Sequence, residues 1–292
     1  MMKIGLTGVT GFLGRHFAQC GRQAGHEVIG FSRKPTSGQR DLAKLDFTGL
    51  DAVVHLAGEN VLGLWTQQKK RRIQESRVAL TQRMVAAMRT LAEPPPVLVS
   101  ASGVSFYGDR GDEILDESSS HGAGFLGEVV RDWEAAVAEA VGFARTASLR
   151  FGMVLGPDGG AWPLLRRIFR CGLGGRLGSG RQWMAWIHVE DAVRQLLSVV
   201  ETNSLRGPIN GVAPESVTNL EFTKCLAAEL HRPAIFPVPT IVLKNLPGGF
   251  GRVFLDSTRV TPAAWQREGF HFHFPTLQSA VRNLAKGPCR IT

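Results

Sequence analysis

Lys3-Ile4-Gly5-Leu6-Thr7-Gly8-Val9-Thr10-Gly11-Phe12-Leu13-Gly14 sets a short apolar strand, a glycine-rich turn and the start of a helix in immediate succession. Glycines at this spacing permit a tight turn and a close approach of backbone to a pyrophosphate, and Gly14 lets the helix lie close on the strand. Free amides at the helix start, together with the helix dipole, favour negative charge there. The candidate phosphate contacts are Gly8, Thr10, Gly11, Phe12, Leu13 and Gly14. The alternative is a tight turn that holds no ligand.

The pattern repeats downstream. A helix from about Phe12 to Ala24 closes at Gly25, a C-cap position. His26-Glu27-Val28-Ile29-Gly30-Phe31 and Asp51-Ala52-Val53-Val54-His55-Leu56 read as the second and third strands. A helical stretch from Gln67 to Leu91 ends at Glu93-Pro94-Pro95-Pro96. Val97-Leu98-Val99-Ser100 is a fourth strand, Phe125 to Val141 a helix, and Ala147-Ser148-Leu149-Arg150 a fifth strand. Short apolar strands alternating with helices predict an α/β fold, a Rossmann-type doubly wound parallel sheet covered on both faces. The second half is richer in glycine and proline. It predicts a dinucleotide-binding domain over 1–155, completed by strands from about 183–213, and a smaller discontinuous substrate lobe over 156–182 and 214–292.

Composition narrows the function classes. The 292 residues are 43% hydrophobic and 20% charged, a globular balance. No apolar run reaches the roughly 18 residues of a membrane helix, and the N-terminus carries no small-residue cleavage site, so the expected location is the cytoplasm. Cys20, Cys171, Cys225 and Cys289 lie far apart and predict neither a disulfide framework nor a metal site. The net charge is +9. Its densest cluster, Lys69-Lys70-Arg71-Arg72, lacks the interleaved aromatics of a single-strand binder, so anionic small ligands are expected rather than nucleic acid.

The second strand ends at Phe31-Ser32-Arg33-Lys34. A dinucleotide fold that prefers NAD has a carboxylate here, on the ribose hydroxyls. Ser32 and Arg33 present none, and Arg33 can pair with a 2′-phosphate and stack on adenine, which favours NADP. The alternative is that Arg33 and Lys34 form a solvated loop.

With Thr7 to Gly14, the segments His55-Leu56-Ala57-Gly58 and Leu149-Arg150 followed by Gly156-Pro157 resemble the extended short-chain dehydrogenase/reductases, and Trp186-Ile187-His188-Val189-Glu190-Asp191-Ala192 adds a further block. Leu56-Ala57-Gly58-Glu59-Asn60, Glu75-Ser76-Arg77, Tyr107-Gly108-Asp109-Arg110-Gly111, the glycine-rich run Gly172 to Gly180 and Val212-Ala213-Pro214 are similar to one divergent branch, the epimerase-family or cell-division-inhibitor-like proteins. The resemblance spans essentially the whole chain. It implies that Leu56, Ala57 and Gly58 line the bound dinucleotide, that Leu155 sits by the nicotinamide, and that Arg77, with Arg72, points into the same cleft. A tight strand exit at Ala57-Gly58 and a solvated helix face for both arginines are the alternatives.

The wider family uses a tyrosine and a lysine four residues later, the lysine lowering the tyrosine pKa. Here the only tyrosine is Tyr107, and the matching helix begins Phe125-Leu126-Gly127-Glu128-Val129 with no lysine. Ser102, Tyr107, Glu128 or water then remain as proton donors. Ser102 is the family-serine equivalent or a loop hydroxyl, and Tyr107 an acid or a cleft wall. Arg181 and Trp183 are the candidate substrate contacts, beside Arg176. His188 and Trp186 read as structural, and His271-Phe272-His273 as one strand face. The expected protein is an NADP-dependent oxidoreductase or epimerase on an unidentified small molecule, nucleotide-linked compounds included. Its rival is a non-enzymatic NADP-binding sensor, and a homodimer stays open.

Overall fold

Ile4, Leu6, Val28, Val53, Val54, Leu98, Val99 and Leu149 are all buried, so the first strands have no face to offer water. In the computed structural model, which describes residues 1–286, they form a parallel sheet sandwiched between helices. Its seven strands are β1 (Lys3–Thr7), β2 (Glu27–Ser32), β3 (Gln39–Asp41), β4 (Ala52–His55), β5 (Val97–Gly103), β6 (Arg145–Phe151) and β7 (Gly207–Gly211), in the order β7-β6-β5-β4-β1-β2-β3. Adjacent residues face opposite sides. Val54 and Val99 join Ile4, Phe17, Leu149 and Leu196 in one core layer. Val53 and Leu98 join Phe31, Met84, Met88 and Trp133 in the other.

Three local differences from the sequence pattern stand out. The edge strand β3 is short and polar and carries no apolar alternation. Trp186–His188 pairs in parallel with Met153–Gly156 in a small separate sheet, so only β7 of the later segment joins the large one. His271-Phe272-His273 is irregular rather than a strand: the His273 amide donates to Asp191 at 2.9 Å and Arg194 donates to the His271 carbonyl at 2.8 Å. Beyond β6, the helices Trp162–Arg170, Asn219–Leu230 and Leu277–Ala285 enclose a further core of Trp162, Phe169, Trp186, Phe222 and Val281. Cys289 and the last residues of the expected lobe lie outside the described residues. No helix among those described is long and apolar enough to cross a membrane.

The long helix is interrupted where it passes the sheet. Gln67–Gln74 runs through a π turn, Glu75–Ala79, into Leu80–Arg89. The wider turn carries Ser76 and Arg77, which bond the chain leaving β4. Beneath them His55, fully buried, holds Thr7 Oγ1 at 2.6 Å from Nδ1 and meets the Trp133 ring edge-on.

Burial, reinforced by the Arg77 charge, pushes the His55 pKa down to about 3, and burial pushes His188 down to about 4. Both stay neutral in the fold while the unfolded chain takes up protons near pH 6.5. Stability is therefore full above pH 6.5 and declines as the pH falls toward 4, by roughly 1.4 kcal/mol per pH unit for each histidine. Denaturant unfolding across this range should give a shallower decline for His55→Gln by about that amount. Equal slopes in the two proteins would contradict the neutral, buried imidazole.

Candidate functional site

The turn after β1 is built on contacts that only glycine allows. Gly8 has φ +73, and a Cβ there would lie 2.8 Å from the Ala57 amide. At Gly14 a Cβ would come within 2.1 Å of the Gly8 carbonyl oxygen, so this glycine presses the helix Phe12–Gln23 onto the turn. Gly11 differs. It is exposed, with ordinary extended backbone (φ −75, ψ 172), and a Cβ there would meet only the Gly8 oxygen, at 3.0 Å. It is the helix N-cap but has no side chain to cap with, and the first turn has no acidic residue. The orphan amides of the first turn and the positive end of the helix dipole therefore face outward without a counter-charge. Such a cradle fits a diphosphate and has no evident use for a closed turn.

Phe12 and Leu13 follow the cradle. The Phe12 ring lies against Gly156, Gly159 and Gly160, where added Cβ atoms would fall 2.5, 2.3 and 3.0 Å from it. Arg15 and His16 hold Asp158 at 3.0 and 2.8 Å. The hairpin after Leu155 is thus docked on the first helical turn. Leu155 itself is fully buried with Trp162 and Trp186, so its side chain belongs to the core and does not line the cleft.

At the end of β2 the Ser32 hydroxyl closes a turn with the Lys34 backbone at 3.1 and 3.2 Å. Arg33 is exposed and has no carboxylate within 4.0 Å among the described residues. Across from it, Leu56, Ala57 and Gly58 leave β4. The Ala57 amide donates to Thr7 Oγ1 at 3.4 Å. Arg77, half-buried, packs beside this strand exit. Its guanidinium lies under Gly58, stacked 5.3 Å from the Trp133 ring centre, and Nη1 donates to the Glu59 carbonyl at 3.0 Å. Burial lowers its pKa to about 10. It positions the strand exit from below. Arg72, five residues earlier on the same long helical stretch, is exposed.

The proton-donor candidates fare unequally. Tyr107 is fully buried, its hydroxyl 2.7 Å from Asn210 Oδ1 and 2.9 Å from the Asp116 carbonyl while accepting from Arg150 Nη1 at 2.9 Å. Burial raises its pKa above the ordinary 10. It is neither a cleft wall nor an acid, because the ring has no surface and the hydroxyl is committed. Ser102, the penultimate residue of β5, donates to Glu134 Oε1 at 2.5 Å, and Glu134 is gripped by Arg150 at 2.9 and 2.7 Å. This buried chain of Ser102, Glu134, Arg150, Tyr107 and Asn210 ties β5, β6 and β7 to the helix Phe125–Ala138, and its scattered positions give no sequence motif. Phe125, at the tyrosine position, packs against Trp65, with the Lys70 ammonium 5.2 Å above its ring. Ser105 is the hydroxyl the sequence pattern passes over. It sits 3.3 Å from where a Gly103 Cβ would be and has no hydrogen-bond partner for Oγ among the described residues.

On the lobe side, Arg181 is exposed, whereas Trp183 donates from Nε1 to Asp112 at 2.8 Å and has Arg259 stacked 4.2 Å from its ring centre. One face of Trp183 is therefore covered by protein. His188 caps the helix Val189–Glu201 by accepting from the Glu190 amide at 3.2 Å. No group of three or more potential metal ligands occurs among the described residues.

A glycine cradle at the first helix of a doubly wound sheet defines a dinucleotide-fold protein. The model of the NAD dependent epimerase/dehydratase family matches residues 4–210, and the chain belongs to that family. A domain of unknown function, DUF1731, matches residues 238–284. The crystal structure of human epimerase family protein SDR39U1 (isoform 2) with NADPH is 35% identical, covers 98% of this chain and 100% of its own, and superposes with a TM-score of 0.93. A nucleoside-diphosphate sugar epimerase from Corynebacterium glutamicum is 34% identical over 98% of this chain and 58% of its own, with a TM-score of 0.82. The chloroplastic SDR39U1 homolog of Arabidopsis thaliana is 35% identical over 97% of this chain and 86% of its own.

The buried Gly14 and the exposed Gly11 should separate on mutation. Gly14→Val collides with the Gly8 carbonyl and should cost about 3 kcal/mol or more of stability. Gly11→Val should stay within about 1 kcal/mol of the parent, since its backbone suits any residue. Urea unfolding followed by circular dichroism reads both values, and equal losses would refute the assignment of Gly14 to packing and Gly11 to the open cradle.

Proposed function

We propose that this protein binds NADP across the C-terminal edge of its sheet and uses it in oxidoreductase or epimerase chemistry on a small substrate, nucleotide-linked compounds being the first class to test. The carrying observation is the uncapped helix start at Gly11, with an unpaired arginine at the end of β2 where a carboxylate would repel a 2′-phosphate. That the human relative was crystallised with NADPH supports the same choice. Bound NADP supplies the hydride chemistry. The amides of the first helical turn hold the diphosphate, Arg33 pairs with the 2′-phosphate, and the small residues Ala57 and Gly58 let the backbone pass beside the ribose. Arg77 keeps that strand exit in place.

Proton transfer needs groups other than a tyrosine–lysine pair. Phe125 cannot ionise, and Tyr107 is sealed in the core. The Ser102 hydroxyl donates its hydrogen bond to Glu134, so it faces a substrate oxygen as a donor only if that bond breaks. Ser105, the exposed Glu128 and water are the remaining donors at this end of the sheet. A second reading, a non-enzymatic NADP sensor, is favoured by one observation: the Phe125 ring is enclosed with Trp65 and Phe250 in an aromatic cluster instead of facing a substrate oxygen.

Calorimetric titration should show NADPH binding at least about tenfold tighter than NADH, because a charge-assisted pair with the 2′-phosphate contributes roughly 1.5–3 kcal/mol. Arg33→Ala should erase the difference, and Gly11→Val should abolish binding of both. Equal affinities in the parent would sink the NADP assignment. With NADP present, UDP- and dTDP-sugars should turn over far below the usual range of about 1–10³ s⁻¹, since losing positioned acid–base catalysis costs about 10²–10⁴-fold. Turnover inside that range would overturn the account of the missing pair.

A further inference from the structure

On the lobe, the helix Asn219–Leu230 and the segment 234–238 stand apart and enclose a groove of about 450 Å³. Leu220, Thr223, Lys224 and Ala227, three and four residues apart, form the helix face that lines it. Ala234, Ile235 and Pro237 line the opposite side, and Arg176 enters from the glycine-rich loop. That loop fixes both walls. The Phe236 and Val238 amides donate to the Gly174 and Arg176 carbonyls at 3.2 and 2.9 Å, and the Leu177 amide donates to Asn219 Oδ1 at 2.8 Å. Ala227 and Ala234 present only methyl groups to the space between the walls. None of these residues belongs to the Gly8–Gly14 cradle, to the end of β2 or to the end of β5.

The groove carries charge of one sign. Arg176 donates from Nη1 to the Gly178 carbonyl at 2.6 Å, and neither Arg176 nor Lys224 has a carboxylate within 4.0 Å among the described residues. The carboxylates of the helix are engaged elsewhere, Glu221 with Thr218 in the capping box and Glu229 with Arg282 at 3.1 Å. Thr223 adds a buried polar group. A helical threonine can return its hydroxyl to the carbonyl four residues back, as Thr81 does to Arg77 at 2.6 Å. Thr223 is only 4% exposed, yet its hydroxyl has no hydrogen-bond partner among the described residues. A buried hydroxyl left unpaired is costly, and an acceptor brought by a ligand removes that cost. The remaining lining is apolar, and Ile235 and Leu220 are exposed at its rim. We infer that the groove binds an amphipathic anion, an apolar body of medium-chain acyl size whose carboxylate or phosphate rests on Lys224, Arg176 and the Thr223 hydroxyl. Its volume lies within the range of small-molecule pockets, about 300–1,000 Å³. The apolar body covers Leu220, Ala227 and Ile235, and the head group ties the glycine-rich loop to the helix.

Binding of octanoate, octyl phosphate, octanol, acetate and inorganic phosphate is measured by calorimetry for the parent, Lys224→Gln and Ile235→Asp, with thermal unfolding as the control for folding. Octanoate or octyl phosphate should bind the parent at least about tenfold tighter than octanol, the gain from one charge-assisted bond, and the tighter of the two names the head group. Acetate and inorganic phosphate, which lack the apolar body, should bind far more weakly. Lys224→Gln should weaken the anionic amphiphile about tenfold and change octanol less than about twofold. Ile235→Asp alters an exposed side chain and sets a carboxylate on the groove wall, so it should abolish amphiphile binding while the protein stays folded. If octanoate and octyl phosphate bind no tighter than octanol, or if Lys224→Gln leaves their affinity unchanged, the inference is wrong. If sedimentation shows a dimer that Ile235→Asp splits, a second copy of the chain covers the groove and the inference fails as well.

Discussion

The contact between Gly14 and the Gly8 carbonyl is the constraint from which the site follows. With no side chain at position 14, the helix Phe12–Gln23 starts directly against the turn that leaves β1. Its first-turn amides then open at the C-terminal edge of the sheet, where doubly wound folds bind ligands. The same placement carries the Phe12 ring onto the glycines of the 156–160 hairpin and sets Arg15 and His16 on Asp158. Any side chain at position 14 would lift the helix, and the cradle and the docked hairpin would be lost together.

The reactive end of the cleft is organised differently from the phosphate end. Polar groups that could handle protons have been drawn into the interior. Arg150, itself buried, neutralises Glu134 and holds the Tyr107 hydroxyl, and Glu134 in turn accepts a hydrogen bond from the Ser102 hydroxyl. Removing one member of such a buried pair leaves an uncompensated charge, typically costing about 3–5 kcal/mol. These groups are therefore bound by the stability of the sheet. The phosphate end keeps open cations and free amides. Binding strength without an ordinary acid–base pair is the chemical character this division gives.

Much of the architecture was legible because its signals are local. Glycines at 8, 11 and 14 between a strand and a helix, and the apolar runs at 52–55 and 97–99, declare their roles within a few residues, and the family and the sheet class agree with them. The site was less legible because its side chains are oriented by distant partners. Nothing near Tyr107 in the chain announces Asn210 or Arg150, and nothing near Arg77 announces that its guanidinium will lie against Gly58 and the Trp133 ring. Leu155 likewise reads as a cleft residue until Trp162 and Trp186 close over it. The strand expected at 271–273 fails because Asp191 and Arg194 take its backbone groups. The basic run at 69–72 was visible as charge, but the helix sends Lys69 to Glu59, Lys70 to Phe125 and Arg71 to Glu75.

The most direct test is a crystal structure of this protein with NADPH. The account predicts the diphosphate within hydrogen-bonding distance of the Phe12 and Leu13 amides, the Gly11 amide being held by the Gly8 carbonyl at 2.8 Å, the 2′-phosphate on Arg33, and no ionisable ring beside the nicotinamide at Phe125. A dinucleotide bound away from the Gly8–Gly14 turn, or a 2′-phosphate turned away from Arg33, would contradict it.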